Sequence, residues 1–253
     1  MHRPLRAALM AAVLVGVSLP AAAQSTPWED RVFAGISFGF EAGTSTITDS
    51  RTFVVYEEPG SLQSTSRFDS DGIIDISLGA RVWSNMGVAI GYHAKSTTGT
   101  AEVQGSIPHP IFYDRPRSFT DSIDGIDRDE SATHVQIGWM IPVNDKVDVF
   151  VYAGPSFYRL KQEVVSDLAV AEQGPPFTSV VVQPTVSLLK ENVTGYNVGA
   201  DATYMLYTSD TLRFGLGGFL RFTGATANIN LGDATTETDL GGVQFGVGAR
   251  LRF

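Results

Sequence analysis

Apolar and polar residues alternate with a period of two through most of the chain after residue 24. Gly242–Phe253 is the clearest case, because one parity from Val243 onwards is apolar throughout and the other holds only Gly, Gln and Arg. Successive side chains of a β-strand point to opposite faces, so this pattern predicts a strand with one apolar and one polar face. Alternating segments of about ten residues are typical of strands that cross a membrane between lipid and a lumen.

Eight segments of this kind occur along the sequence. They are Val32–Glu41, Ile73–Trp83, Val88–Lys95, Thr133–Ile141, Val147–Tyr158, Tyr196–Leu206, Leu212–Thr223 and Gly242–Phe253. The connections between them alternate between short turns (84–86, 142–146 and 208–210) and long stretches (44–71, 97–130, 160–192 and 224–241). Short turns at one end and long loops at the other are typical of outer-membrane barrels. The sequence therefore predicts an all-β fold, an eight-stranded antiparallel up-and-down transmembrane β-barrel with long extracellular hairpin loops.

The long connections also contain residues that favour strands. Thr100–Ile107 and Ser179–Leu188 are rich in β-branched residues, and we interpret them as hairpins that rise above the membrane. Additional membrane strands, giving ten or twelve, are the alternative. The hairpin interpretation is favoured because Glu102 and Pro184 interrupt these stretches.

The first 24 residues have a different composition. Arg3 and Arg6 precede the apolar stretch Ala7–Ser18, and three alanines come before Gln24. A helix of that length spans roughly 18 Å, less than the roughly 30 Å of a hydrocarbon core, so an export signal is favoured over a membrane anchor. We expect cleavage between Ala23 and Gln24. Residues 1–23 are then a signal peptide and residues 24–253 an outer-membrane β-barrel domain.

Composition and charge exclude several classes of function. Charged residues make up 18% of the 253 residues, below the ordinary share of about 25%. The absence of cysteine excludes disulfides, thiol catalysis and cysteine metal sites. A net charge of −9 argues against nucleic-acid binding. The acidic residues concentrate in the long connections, so an extracellular protein partner is expected to be basic, with an association rate that falls as salt rises.

The export signal, the eight strands and the terminal segment 248–253 resemble the small bacterial outer-membrane β-barrel superfamily, of the OmpA, OmpX and OmpW type. The resemblance covers residues 31–253 and implies a location in the bacterial outer membrane, as a monomer in contact with lipid and lipopolysaccharide. It also implies that Gly248, Leu251 and Phe253 form the assembly signal read by the barrel assembly machinery. Gly246 stands where that signal usually has a polar residue.

An eight-stranded barrel is just wide enough for side chains to fill its interior. The charged and histidine residues predicted to line the lumen are Glu41, Asp75, Arg81, His93, Lys95, His134, Asp148, Asp201, Arg213, Arg221, Arg250 and Arg252. We expect them to pair, because unpaired buried charges are strongly destabilising. This favours a structural or surface-interaction protein with a largely filled polar lumen. A narrow pore or conduit for small or hydrophobic molecules is the alternative, for which the inward glycines leave room.

Catalytic patterns in the sequence are weak. Gly154–Tyr158 begins like a nucleophile elbow but lacks the second glycine, and His93 with Ser96 is the one local pair that suggests catalysis. We expect no catalytic, cofactor or metal residues, and an outer-membrane enzyme is a minor alternative.

Two features of the second long connection suggest contacts instead. The acidic residues within 121–130 lack EF-hand spacing and are expected to form a solvated loop, with weak divalent-cation binding as the alternative. Pro108–Tyr113 is apolar, and predicts either a segment folded over the barrel mouth or a contact site.

Overall fold

The computed structural model describes residues 28–69, 71–209, 211–231 and 234–253, so the predicted signal and its cleavage point lie outside the described residues. Among the described residues there are eleven strands. They are β1 (Val32–Ala42), β2 (Ser45–Val55), β3 (Glu58–Phe68), β4 (Gly72–Trp83), β5 (Met86–Ile107), β6 (Arg117–Asn144), β7 (Val147–Glu172), β8 (Val180–Thr208), β9 (Arg213–Leu231), β10 (Ala234–Leu240) and β11 (Val243–Arg252). In the same residues, no helix is long and apolar enough to cross a membrane.

Eight strands close into a hydrogen-bonded ring. The order is β1-β4-β5-β6-β7-β8-β9-β11, and β11 pairs back with β1 from Phe33↔Arg252 to Ala42↔Val243. The terminal Phe253 extends this closure, because its carbonyl oxygen accepts the backbone N–H groups of Arg31 and Val32 at 2.6 and 3.1 Å. Each of the eight predicted segments falls in one ring strand, so the predicted fold class is confirmed.

The outer surface of the ring is apolar. Phe38, Leu78 and Ile137 are each about 60% exposed, whereas the neighbouring residues of opposite parity point inwards. Aromatic side chains are exposed near both ends of this belt: Phe40, Phe157, Tyr196 and Phe222 towards the long connections, and Trp139, Tyr204, Phe214 and Phe253 towards the short turns. Two such girdles around an apolar band are the surface of a barrel that faces lipid.

Five strands continue well beyond the roughly ten residues needed to cross a membrane. β3 of the β2–β3 hairpin pairs with the extended part of β5, and β10 pairs with the extended part of β9. These parts form a folded region that we call the cap, residues 43–69, 97–130, 160–193, 225–231 and 234–240. The hairpin interpretation of Thr100–Ile107 and Ser179–Leu188 is confirmed, since these stretches lie in the cap.

The cap has an apolar core of its own. The sheet β2-β3-β5-β6 packs against the β7–β8 hairpin through buried side chains from both layers: Leu62, Phe68, Ala101, Val103, Ile107, Phe119, Ile126, Val165 and Val182. A second apolar cluster lies where the cap meets the ring, and it consists of Ile47, Ala132, Tyr158, Leu160, Val164, Ala227 and Leu240. Apolar packing therefore covers the mouth of the barrel.

The predicted solvated loop at 121–130 is wrong. These residues belong to β6, with Asp127 and Asp129 exposed on its outer face and Arg128 and Glu130 buried on its inner face. Period-two alternation continues through the charged stretch. It is shifted once by a bulge at Gly125, whose φ of 79° favours glycine.

Replacing Leu251 and Phe253 together by Asp is expected to abolish insertion. Leu251 lies in the last part of β11 and Phe253 directly follows that strand, which closes the ring, and the change adds lipid-facing charge and removes the terminal aromatic group. The measurement is heat-modifiable gel migration together with the amount of protein in outer-membrane fractions. The control adds two Asp residues to the exposed polar face of the cap, as Thr52→Asp and Thr120→Asp, and should insert normally. Normal insertion of the β11 variant would contradict the expectation.

Candidate functional site

Three ion pairs cross the interior of the ring. They are Asp75 Oδ2 with Arg221 Nη2 at 2.7 Å, Asp148 Oδ1 with Arg252 Nη2 at 2.6 Å, and Asp201 Oδ2 with Arg250 Nη2 at 2.5 Å. The partners are 49 to 146 residues apart in sequence, so closure of the ring brings them together. Both Asp75 and Arg221 are buried, and each therefore depends on the other for its neutralisation.

A fourth cluster lies closer to the cap. The Lys95 ammonium contacts the Glu41 carboxylate and lies 3.4 Å from Glu130 Oε2, which is also 3.4 Å from Arg128 Nη2. Glu130 and Arg128 are absent from the set of lumen residues predicted from sequence, because the sequence predicts a solvated loop for the charged stretch around them. Arg128, Glu130 and His134 occupy alternate positions of β6 and share one face of the strand. Extending the alternation from His134 back to residue 128 would have placed Arg128 and Glu130 in the lumen.

Two buried histidines form a hydrogen-bonded chain. Their rings stack with centroids 5.0 Å apart, and His93 Nδ1 lies 2.8 Å from His134 Nε2. The Gln244 amide nitrogen lies 3.4 Å from His93 Nε2 and donates to it, so His93 donates through Nδ1 to His134. His134 in turn donates through Nδ1 to Ser156 Oγ at 2.7 Å. All four ring nitrogens of the two histidines are thus used in hydrogen bonds within this network.

The hydroxyl that sequence pairs with His93 lies on the other side of the strand. Ser96 points outwards and donates to Asp129 Oδ1 at 2.7 Å, whereas His93 is fully buried in the lumen. The local His93 and Ser96 pair therefore does not form in the fold.

The remaining two predicted lumen residues lie near the short-turn end. Arg213 Nη1 lies 3.0 Å from Asp30 Oδ2, and Arg81 donates to the Trp28 carbonyl oxygen. Trp28 is itself buried inside this end of the ring, in an apolar cluster with Phe33, Ala89, Met140, Phe150 and Tyr152. The segment before β1 thus fills the short-turn end.

Little free space is left between these groups. A cavity of about 30 Å³ lies among Asp75, Asp201, Arg221 and Arg250, which is room for about two water molecules. Among the residues that the structure describes, the nearest approach to a metal site is the set Glu41, His93 and Glu130, whose ligand atoms lie within 4.8 Å of one another. The Lys95 ammonium contacts both carboxylates and supplies the positive charge there.

A separate polar cluster joins three connections at the tip of the cap. Arg117 Nη1 and Nη2 donate to the two oxygens of Glu172 at 2.5 and 2.7 Å. The Tyr56 hydroxyl donates to Glu172 Oε1 at 2.9 Å, and Arg117 also donates to the Pro108 carbonyl oxygen at 2.8 Å. We call Tyr56, Arg117 and Glu172 the clasp, since it ties the β2–β3 turn to β6 and β7.

The backbone next to the clasp is strained. Tyr56 and Glu57 have φ values of 54° and 65° and form the two-residue turn between β2 and β3. Such turns favour Asn and Gly, so a Tyr–Glu pair is maintained at an energetic cost. No sequence pattern predicts the clasp, because its three residues come from connections that the alternation leaves unassigned.

Three features together define the class of protein to which the chain belongs. They are a closed ring of eight strands, an apolar exterior and a charged, hydrogen-bonded interior. The chain is a transmembrane β-barrel of the outer-membrane type.

No protein-family model and no curated protein matches the sequence. Among solved structures, the chain is similar to the outer membrane protein OprG from Pseudomonas aeruginosa, with 11% identity, coverage of 89% of this chain and 97% of that one, and a TM-score of 0.45. It is also similar to the outer membrane protease OmpT from Escherichia coli, with 11% identity, coverage of 90% and 98%, and a TM-score of 0.44. It is similar as well to Neisserial surface protein A, with 11% identity, coverage of 88% of this chain and 97% of that one, and a TM-score of 0.38.

Acidification is expected to loosen the tip of the cap through the clasp. The Arg117 guanidinium, which donates to the Glu172 carboxylate, holds the pKa of Glu172 below its usual value. A carboxylate of lowered pKa stabilises the folded cap above its unfolded pKa, and this contribution is lost as the pH falls through the lowered pKa. The protection factors of residues 108–116 and 173–179 against hydrogen exchange, which are corrected for the intrinsic slowing of exchange in acid, should therefore fall at a pH below the usual carboxyl range.

Glu172→Gln should produce the same loss of protection at neutral pH, since a hydrogen bond to a charged group contributes about 1.5–3 kcal/mol. Glu102→Gln is the matched control, because Glu102 is exposed and lies 3.7 Å from the exposed Arg67. Equal exchange in both variants would contradict a stabilising role for the clasp.

Proposed function

We propose that the spanning barrel is a monomeric outer-membrane anchor and that the cap is a contact surface held outside the membrane. The observation that carries this proposal is the apolar core of the cap, which lies over the barrel mouth. A loop that gates a pore needs little core of its own, whereas a surface that binds a partner gains from being ordered in advance.

The contents of the lumen support an anchor over a conduit. Buried aromatic residues, cross-lumen ion pairs and the apolar clusters of the cap follow one another along the barrel axis. A solute on this path would have to separate buried ion pairs, and separating such a pair is strongly unfavourable.

The outer face of the cap supports a basic partner. Asp124, Asp127 and Asp129 form an acidic row along β6, and each accepts a hydrogen bond from a hydroxyl group of β5 at 2.7–3.4 Å. At the tip, His109 Nδ1 accepts the backbone N–H groups of Ile111 and Phe112, both at 3.1 Å. These bonds hold the exposed apolar segment in one conformation, as an apolar contact at the tip of the β5–β6 hairpin that carries the acidic row.

Planar-bilayer recordings distinguish the anchor from the pore. The purified, folded barrel is expected to give no steady unitary conductance. The Arg221→Ala variant removes a large buried side chain and leaves Asp75 without its partner. If the packing of the lumen blocks ions, this variant should show a higher ion conductance than the parent protein. Stable channels of defined conductance in the parent protein would overturn the filled-lumen proposal.

A lysine-rich peptide tests the contact surface. Its association rate with the barrel should fall as salt rises, and should fall several-fold in the variant Asp124→Asn/Asp127→Asn/Asp129→Asn. The control Asp145→Asn/Glu237→Gln/Asp239→Asn removes the same charge from exposed positions elsewhere and should have a smaller effect. An equal effect of both variants, or a rate that ignores salt, would contradict the proposed acidic contact.

A further inference from the structure

The guanidinium group of Arg252 is buried but only partly hydrogen-bonded. Its Nη2 donates to Asp148 Oδ1 at 2.6 Å and to Thr203 Oγ1 at 3.3 Å, and the side chain is only 2% exposed. Within the described parts of the chain, no atom accepts a hydrogen bond from its Nε or its Nη1. Buried donors without an acceptor are rare and strongly destabilising, so these N–H groups indicate a partner from outside the chain.

The cavity inside the ring offers space for such a partner. Arg252 lines this space of about 30 Å³ together with Arg221, Arg250, Asp75 and Asp201. Both carboxylates of the wall are held by another arginine, because Arg221 donates to Asp75 Oδ2 and Arg250 donates to both oxygens of Asp201. The unpartnered N–H groups of Arg252 are thus left for a small molecule or an ion in the cavity.

Aromatic rings hold the guanidinium groups of this wall in place. The Arg252 Cζ atom lies 5.2 Å from the ring centroid of Phe33, and the Arg221 Cζ atom lies 5.2 Å from that of Phe219. Such contacts orient a guanidinium group by its face and leave its N–H groups, which lie in the plane, without an acceptor. The donors are therefore fixed in advance, and this favours binding because little ordering remains to be done.

Positive charge exceeds negative charge in this part of the lumen. Four aspartates are each paired with one arginine, whereas a fifth arginine, Arg81, donates to the uncharged carbonyl group of Trp28. Strand pairing also places Arg213 of β9 directly opposite Arg252 of β11. Like charges at directly opposed positions destabilise a sheet. One negative charge beside Arg252 would offset this excess.

We propose that the cavity binds a single halide ion, chloride under ordinary conditions, through Arg252 Nε and Nη1. A halide accepts hydrogen bonds and donates none, which matches a wall whose unsatisfied groups are donors. It also supplies the negative charge that the surrounding arginines lack. The volume of about 30 Å³ suits a monatomic anion and is too small for a phosphate or carboxylate compound.

Water fits the same volume but matches the wall less well. A buried water molecule makes about three hydrogen bonds and needs acceptors as well as donors. Asp201 has both oxygens engaged by Arg250, and the Tyr152 side chain that also lines the cavity brings a further hydroxyl donor. Water would also leave the excess of positive charge uncompensated.

The ion is enclosed when the barrel folds. The apolar cluster around Trp28 fills the short-turn end of the ring, and the apolar clusters of the cap cover the other end. A halide in the cavity is therefore a structural ion, which stabilises the closed ring and completes the filling of the lumen. The inference concerns the folded barrel alone and does not depend on the role proposed for the cap.

Crystals of the purified barrel grown in sodium bromide test the site directly, because bromide replaces chloride and scatters X-rays anomalously. The expected result is an anomalous peak in the cavity, within hydrogen-bonding distance of Arg252 Nε and Nη1. Ordered water molecules in the cavity without an anomalous peak would overturn the proposal.

Equilibrium unfolding in urea, in neutral detergent, measures the same binding in solution. Sodium chloride replaces sodium gluconate stepwise at constant ionic strength, since gluconate is too large for the cavity. Above the Kd, each tenfold rise in chloride should lower the unfolding equilibrium constant of the parent protein about tenfold. The variant Arg252→Lys keeps a positive charge beside Asp148 but lacks the fork of donors, and should lose this chloride dependence.

The matched control is Arg213→Lys, which makes the same change at the directly opposed position and should keep the chloride dependence. A parent protein whose stability is the same in chloride and gluconate would overturn the proposal, and this comparison decides even if Arg252→Lys does not fold. Equal losses in both variants, or a dependence that survives in Arg252→Lys, would also overturn it. A bromide peak without chloride dependence in solution would show binding at crystal concentration only, which likewise excludes a structural halide.

Discussion

Closure of the hydrogen-bonded ring is the constraint on which the rest of the structure depends. Lipid offers no partner to a backbone N–H or C=O group, so the pairing of β11 with β1 has to be complete across the membrane. A ring of eight strands is narrow, and its inward residues are forced into contact. Charges placed there must find opposite charges across the lumen, as Asp75 finds Arg221 and Asp148 finds Arg252.

The same closure explains how the interior accommodates long side chains. Inward glycines lie beside the arginines, and a Cβ on Gly217 would come within 2.9 Å of the Arg250 side chain. The Arg250 guanidinium then reaches Ser37 Oγ at 2.8 Å as well as Asp201. The glycines that favour a pore when the sequence is considered alone thus provide the space in which ion pairs are packed.

The ring strands and two of the hairpin stretches of the cap were predictable, whereas the rest of the cap was not, for a physical reason. Alternation is strong where one face meets lipid, because every outward residue is then apolar, as in Gly242–Phe253. In the cap both faces carry polar residues somewhere along each strand. In β6 the outward acidic residues alternate with inward residues that include the charged Glu130 as well as Ile126, so apolar and polar positions do not alternate regularly there. The clasp joins three connections distant in sequence, which only the pairing of the cap strands brings together.

Strand β5 shows a reversal of polarity within one continuous element. Near the membrane it is apolar outside and polar inside, at Tyr92 and His93, whereas in the cap it is polar outside and apolar inside, at Glu102 and Val103. The point of reversal fixes the position of the barrel along the membrane normal. If the barrel moved outwards, apolar belt residues would enter water, and if it sank, the hydroxyl and carboxylate groups of the cap would enter hydrocarbon. Both displacements are opposed, so the sequence itself determines the vertical position of the barrel in the bilayer.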